Sequence, residues 1–182
     1  MAGTRYVAWL HAVNVGGRNK VPMAWLRDAS TAAGFRDVAT YVQSGNLVVT
    51  ADTNKAKDVR EQVAGLIRDG LGLDVEVSVR SSADLEKVIA RNPMAEHVDE
   101  PAKLHVSFLT GKPDLAGATA IDAEKYEPDR FVIDGEHLYL WFPGGAGRSK
   151  LAALPWRKRI GVAGTARNWR TVLAVLELMA AG

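Results

Sequence analysis

Three short stretches hold the residue types that bind anions. The first is Asn14-Val15-Gly16-Gly17-Arg18-Asn19-Lys20. Two adjacent glycines let backbone N–H groups turn toward one point, as in anion-binding nests. Arg18 and Lys20 add charge, and Asn14 and Asn19 add amides. The second stretch, Pro143-Gly144-Gly145-Ala146-Gly147-Arg148-Ser149-Lys150, repeats the same grammar of strand end, glycines, cations and helix start. The third, Gly164-Thr165-Ala166-Arg167-Asn168-Trp169-Arg170, opens the last helix, with Asn168 as its N-cap. Arg167 and Arg170 then stand at a helix N-terminus, where the dipole disfavours cations unless an anion compensates.

Other chemistries fit less well. The second stretch lacks the G-x-x-x-x-G-K-[ST] spacing of a phosphate loop and is not G-x-G-x-x-G, so nucleoside-triphosphate hydrolysis is unsupported. Ser44, Ser149, His11 and Thr165 are poor nucleophiles or bases, because no His–acid pair is placed with them. Ser149 reads first as a helix cap. The four histidines show no ligand spacing and the chain has no Cys, so neither a metal nor a cofactor is expected. Trp156-Arg157-Lys158-Arg159 reads as a solvated basic face, with nucleic-acid contact as the alternative, and Trp169 as a core anchor, with stacking on a base or ring as the alternative.

Charge is unevenly spread. Residues 1–27 and 137–176 together hold eleven Lys/Arg and no carboxylate, whereas 28–136 hold 12 Lys/Arg against 20 Asp/Glu. The net +2 therefore conceals a polarised chain, provided the ends meet in space. At 182 residues with 47% apolar content, the composition is that of a globular domain or two small ones. The first residues lack a signal peptide's apolar core, no run is long enough to span a bilayer, and the absence of Cys suits a cytoplasmic location.

The elements that must position these stretches follow from periodicity. Tyr6–Leu10 is a near-continuous apolar run, suited to a buried strand. Pro22 starts a helix with Met23, Leu26, Ser30 and Ala33 on one face, and Gly34 ends it. Val38–Val42 and Leu47–Thr50 pair around the turn Gln43-Ser44-Gly45-Asn46. Val59, Val63, Leu66 and Ile67 space a second helix, and Val75, Val77 and Val79 alternate with polar residues as a strand. The order β-α-β-β-α-β over residues 5–80 predicts an α+β fold of ferredoxin-like plan.

Residues 92–182 read as a second, looser α/β half, with the boundary inside 92–103 and the first half spanning 1–91. A helix over Ser82–Arg91, capped by Ser82, stops at Asn92-Pro93. A strand runs through Leu104, Val106 and Phe108, and an irregular piece follows Pro113. Phe131–Ile133 and Leu138–Phe142 flank the hairpin dipeptide Asp134-Gly135. A helix near Ser149–Leu154 and a final helix with Trp169, Val172, Leu173, Leu176 and Met179 inward complete it. This order is either a degenerate duplication of the first half or an independent α/β half.

These motifs, in this order, resemble a bacterial family of uncharacterised proteins known as DUF1697. The matching stretches are Val13–Met23, Thr40–Asn46, Gly147–Leu151 and Thr165–Val172. The resemblance implies an α/β-plait fold and no particular reaction. The chain departs from the family pattern at His11 and Ala12, which stand where Arg-Gly is usual. It departs again at Ala166, in place of Thr, and at Arg170, in place of Asn. His11 would supply a charge only at mildly acidic pH.

The expectation is an anion-recognition module in which Gly16–Lys20, Gly147–Lys150 and Arg167–Asn168 converge on one basic cleft. Arg18, Lys20, Arg148, Lys150 and Arg167 would neutralise charge; Asn14, Asn19, Asn46 and Asn168 would orient groups, with Gly16, Gly17, Ser44, Gly147 and Ser149 completing the set. The ligand would be a nucleotide, a phosphorylated metabolite or an RNA segment, although no aromatic platform for RNA is evident. An enzyme acting on a small phosphorylated substrate and a module docking an acidic protein are the alternatives.

Overall fold

A computed structural model describes residues 3–182. The chain divides into two units, Met1–Ile89 with Leu173–Gly182, and Ala90–Val172.

The first unit contains β1 (Thr4–Leu10), α1 (Met23–Ala32), β2 (Arg36–Tyr41), β3 (Asn46–Ala51), α2 (Ala56–Leu71) and β4 (Val77–Ser81); α3 (Ser82–Ala90) follows. The sheet is antiparallel with order β2-β3-β1-β4, the ferredoxin-like plan. β1 is central, and its alternate residues Tyr6, Ala8 and Leu10 meet Leu26 of α1 and Val59, Val63 and Ile67 of α2. Val7, Trp9 and Val48, on the other face, are buried as well. That double burial is why β1 reads as a continuous apolar run rather than an alternating one. Arg5 ties the end of the chain to this sheet. Its guanidinium donates to the Met179 and Leu178 carbonyls, to Asp37 O and to Thr50 Oγ1. Burial lowers its pKa.

The second unit contains β5 (Leu104–Leu109), α4 (Leu115–Thr119), β6 (Arg130–Asp134), β7 (His137–Trp141), α5 (Trp156–Ile160) and β8 (Gly164–Asn168); α6 (Trp169–Ala180) follows. Its antiparallel sheet has the order β6-β7-β5-β8. The second half is therefore a βαββαβ plait with the strand order of the first. Leu109, Leu138, Leu140, Phe142, Leu151 and Ile160 form one core cluster within it.

Several local expectations change. Gly164–Asn168 is a strand rather than the opening of a helix, because its backbone completes the β5 ladder from Leu109↔Gly164 to His105↔Asn168. Residues 149–154 form turns, and the short helix is instead α5, built from the basic cluster with Ile160 as its buried residue. In α6 the inward stripe is Trp169, Val172, Val175 and Met179, while Leu173 is exposed. The cap of α3 is Ser81, whose Oγ accepts the Asp84 N–H at 3.2 Å, one residue before the expected Ser82. No helix among the described residues is long and apolar enough to cross a membrane.

Candidate functional site

In the first unit the Gly loop and the β2–β3 turn are fastened together by Asn14. Its Nδ2 donates to Val21 O at 3.0 Å and to Gln43 O at 2.7 Å, and its Oδ1 accepts the Val21 N–H at 2.9 Å. Asn19 Nδ2 donates to Ala12 O, and the buried Asn46 donates to Tyr41 O. These amides bond backbone carbonyls and thereby set the loop's shape. The shape is demanding: Ala12, Asn14, Gly16, Gly17, Asn19, Val42 and Gly45 all have positive φ. For a β-branched residue such as Val42, at φ 49°, that conformation is a true outlier. The loop presents Arg18 and Lys20 to solvent, neither in an ion pair among the described residues; Val15 and Val42, on this loop and the turn fastened to it, are 67% and 52% exposed. Ser44 is exposed on the same turn.

The second unit has a pocket, and two connections build it. After β7, Phe142 is buried in the core and Gly145, at φ 87°, returns its N–H to Phe142 O. A single 3-10 turn, Ala146–Arg148, follows. Leu151 then re-enters the core, and Trp156 Nε1 bonds its carbonyl at 3.1 Å. Anchored at both ends, this segment holds Arg148 and Lys150 outward. The facing wall is the α4–β6 connection, where Tyr126 packs on the same core and Glu127-Pro128 is a cis peptide. Ser149 straps the walls together. Its Oγ donates to Asp129 Oδ2 at 2.6 Å and accepts the Ala152 N–H at 2.9 Å.

The pocket, open to solvent, measures about 320 Å³, the size of a small-ligand site. Arg148 and Lys150 line it with no ion pair among the described residues, while Lys125 lines it bonded to Asp122 at 3.2 Å. Glu127 and Asp129 contribute carboxylates to the opposite wall. Residues 125–129 were missed by sequence reasoning, since no glycine or cation cluster marks them. Gly147 lies on the exposed turn next to the pocket.

Arg167 and Asn168 do not line this pocket. They sit on β8, the edge of the sheet opposite β6. Arg167 is 9% exposed, and its Nη1 donates to Thr165 Oγ1 and Ala166 O on its own strand. Burial pulls its pKa down to about 10, so it remains a cation at neutral pH. Asn168 Oδ1 accepts the Thr171 N–H at 2.9 Å and caps α6; Trp169 is buried. In the first unit His11 Nε2 and Ser78 Oγ are hydrogen-bonded at 2.8 Å, both buried. Among the described residues no cluster of three or more His, Cys, Asp or Glu could hold a metal ion.

The pocket belongs to what is peculiar to the second unit. In the first, β3 reaches α2 through residues 52–55, and α1 reaches β2 through 33–35. The corresponding links of the second unit are 142–155 and 120–129. The two lengthened connections are the two that meet in the pocket.

The fold is shared with a conserved bacterial protein of known structure, SP0830 from Streptococcus pneumoniae. It is 26% identical, with a TM-score of 0.75 over 98% of this chain and 99% of that one. No curated protein matches the chain significantly. The family described as "Protein of unknown function (DUF1697)" matches residues 3–139. With three quarters of its length so matched, and the plait seen in both units, the chain belongs to the DUF1697 family.

Proposed function

We propose that the second unit binds a small phosphate-bearing anion in the pocket between residues 125–129 and 144–150. The observation that carries this reading is the pair of lengthened connections, absent from the first unit, that meet around Arg148 and Lys150, cations with no ion pair among the described residues. A guanidinium presents a planar fork to phosphate oxygens, and an ammonium adds a point charge. Ser149 is engaged by Asp129 and by the Ala152 N–H, an arrangement suited to holding the walls rather than to attack on a substrate. Binding is therefore favoured over catalysis. The cysteine-free composition supports a reducing, cytoplasmic setting for such a ligand.

Titration calorimetry with inorganic phosphate, at low and high salt, tests the reading. Substituting both Arg148→Ala and Lys150→Ala should weaken binding about tenfold or more, with no effect from Arg18→Ala. Unchanged affinity in the double variant would remove the proposal. An RNA ligand would instead reveal itself by a steep salt dependence: about five phosphate contacts give a log–log slope near −4.

A second reading concerns the first unit. Exposed Val15 and Val42 beside Arg18 and Lys20, with no carboxylate in residues 1–27, favour docking of an acidic protein surface on that loop. Salt-sensitive association lost in Arg18→Glu, with phosphate affinity unchanged, would separate it from the first.

A further inference from the structure

The pocket's cations do not account for its carboxylates. Glu127 lines the space, is exposed, and engages no partner through its side chain among the described residues. Asp129 takes the Ser149 hydroxyl on Oδ2, and its Oδ1 has no partner among the described residues. A site selected only for an anion gains nothing from two carboxylates, which repel it. An ionised carboxylate is an acceptor only, and it forms short, charge-assisted bonds to hydroxyl groups. Tyr126, half-buried on the same wall, adds an aromatic side chain. The pocket is thus divided: Arg148 and Lys150 stand on the 144–150 side, while the 125–129 side offers the carboxylates of Glu127 and Asp129, its one cation, Lys125, being held by Asp122 at 3.2 Å.

Resting on the anion-binding reading above, we infer that the ligand is a phosphate monoester whose remainder carries hydroxyls. The phosphate lies on Arg148 and Lys150, and the hydroxyls donate to Glu127 and Asp129. This chemistry is common to a free sugar phosphate and to the ribose phosphate of a nucleotide. At about 320 Å³ the space is at the small end of ligand pockets, which suits a monomeric ligand rather than a polymer.

The test is calorimetry on the full chain with inorganic phosphate, ribose 5-phosphate and adenosine monophosphate. At least one ester should bind about tenfold more tightly than inorganic phosphate, the gain of one or two charge-assisted hydrogen bonds. Glu127→Gln should abolish that gain without weakening inorganic phosphate, which loses a repelling charge, and Arg148→Ala should weaken all three. Glu127 is exposed, so the isosteric change spares the core; Asp129→Asn provides a second variant, with the thermal midpoint as the check on folding. If ribose 5-phosphate gains over phosphate and adenosine monophosphate gains no more, the source is a sugar phosphate. A larger gain for the nucleotide assigns it to nucleotides. Equal affinity for phosphate and both esters, or a gain that survives both Glu127→Gln and Asp129→Asn, overturns the inference and leaves the anion site standing. No binding of any of the three overturns the anion site itself.

Discussion

At matched register positions the two units carry Tyr6-Val7-Ala8-Trp9-Leu10 and His105-Val106-Ser107-Phe108-Leu109 on their central strands. Opposite them stand Ser78-Val79-Arg80-Ser81 and Thr165-Ala166-Arg167-Asn168. In each quartet the arginine is buried with its guanidinium on a neighbouring carbonyl of its own strand, and the last residue caps the helix that follows. Leu10 N–H bonds the β2–β3 turn at Gly45 O, just as Leu109 N–H bonds the β6–β7 turn at Glu136 O. The sheets therefore agree down to individual hydrogen bonds, and the connections do not. The first unit is elaborate after β1, in a strained and tightly bonded loop. The second is plain there and elaborate after β7 and α4, where it makes a pocket. One sheet design thus tolerates specialisation at different connections, because loops carry function while the ladder carries stability.

The comparison can be broken first at Asn14. Asn14→Ala should destabilise the protein by about 2–3 kcal/mol, from three lost hydrogen bonds at roughly 1 kcal/mol each. Lys112→Ala, in the plain counterpart loop, should lie within about 0.5 kcal/mol of wild type. Denaturant midpoints measure both, and a small effect at Asn14 would mean that the loop is not held as described. A second, opposite effect is expected at Val42. The β6–β7 turn uses Gly135 at φ 59°, where the β2–β3 turn forces Val42 to φ 49°. Val42→Gly should therefore stabilise by about 1 kcal/mol, since the strained conformation costs a branched residue more than glycine. A loss of stability on thermal melting would show that the exposed valine packs against something.

The smallest effect distinguishes Tyr6 from His105, which occupy the same register. Burial holds the His105 pKa below its ordinary 6.5, against a lesser opposing pull from the Lys103 carbonyl. Below pH 6.5 the unfolded chain binds a proton there that the folded chain does not, so stability falls as the pH drops. The decline levels off once the pH passes the lowered folded value. His105→Tyr, which installs the first unit's residue, should flatten this part of the stability–pH curve. An unchanged curve would assign the acid sensitivity to other groups.

Much of the first plait was legible in the sequence. An apolar run, alternation and a hairpin turn located β1 to β4: β1, β3 and β4 each carry two or more branched apolar residues, and β2, with Val38 alone, is marked by the turn that follows it. β8 was not legible: Gly-Thr-Ala-Arg-Asn has no large apolar residue, and its burial comes from pairing with β5. For the same reason the second half's likeness to the first could not be decided before its last strand was seen. At the pocket, glycines and cations drew attention to Arg148, Ser149 and Lys150. The facing Glu127 and Asp129 resemble any charged surface until the fold of 120–129 brings them near. The amide of Asn14 read as a ligand group because sequence does not reveal that backbone groups nearby already occupy it.

That occupation has a consequence for recognition. A loop whose turns are fixed by its own side chains has little freedom left to lose when something docks on it. It meets a visitor as a finished shape. Selection on such a surface is made by fit at first contact, and a poorly matched molecule is rejected rather than accommodated.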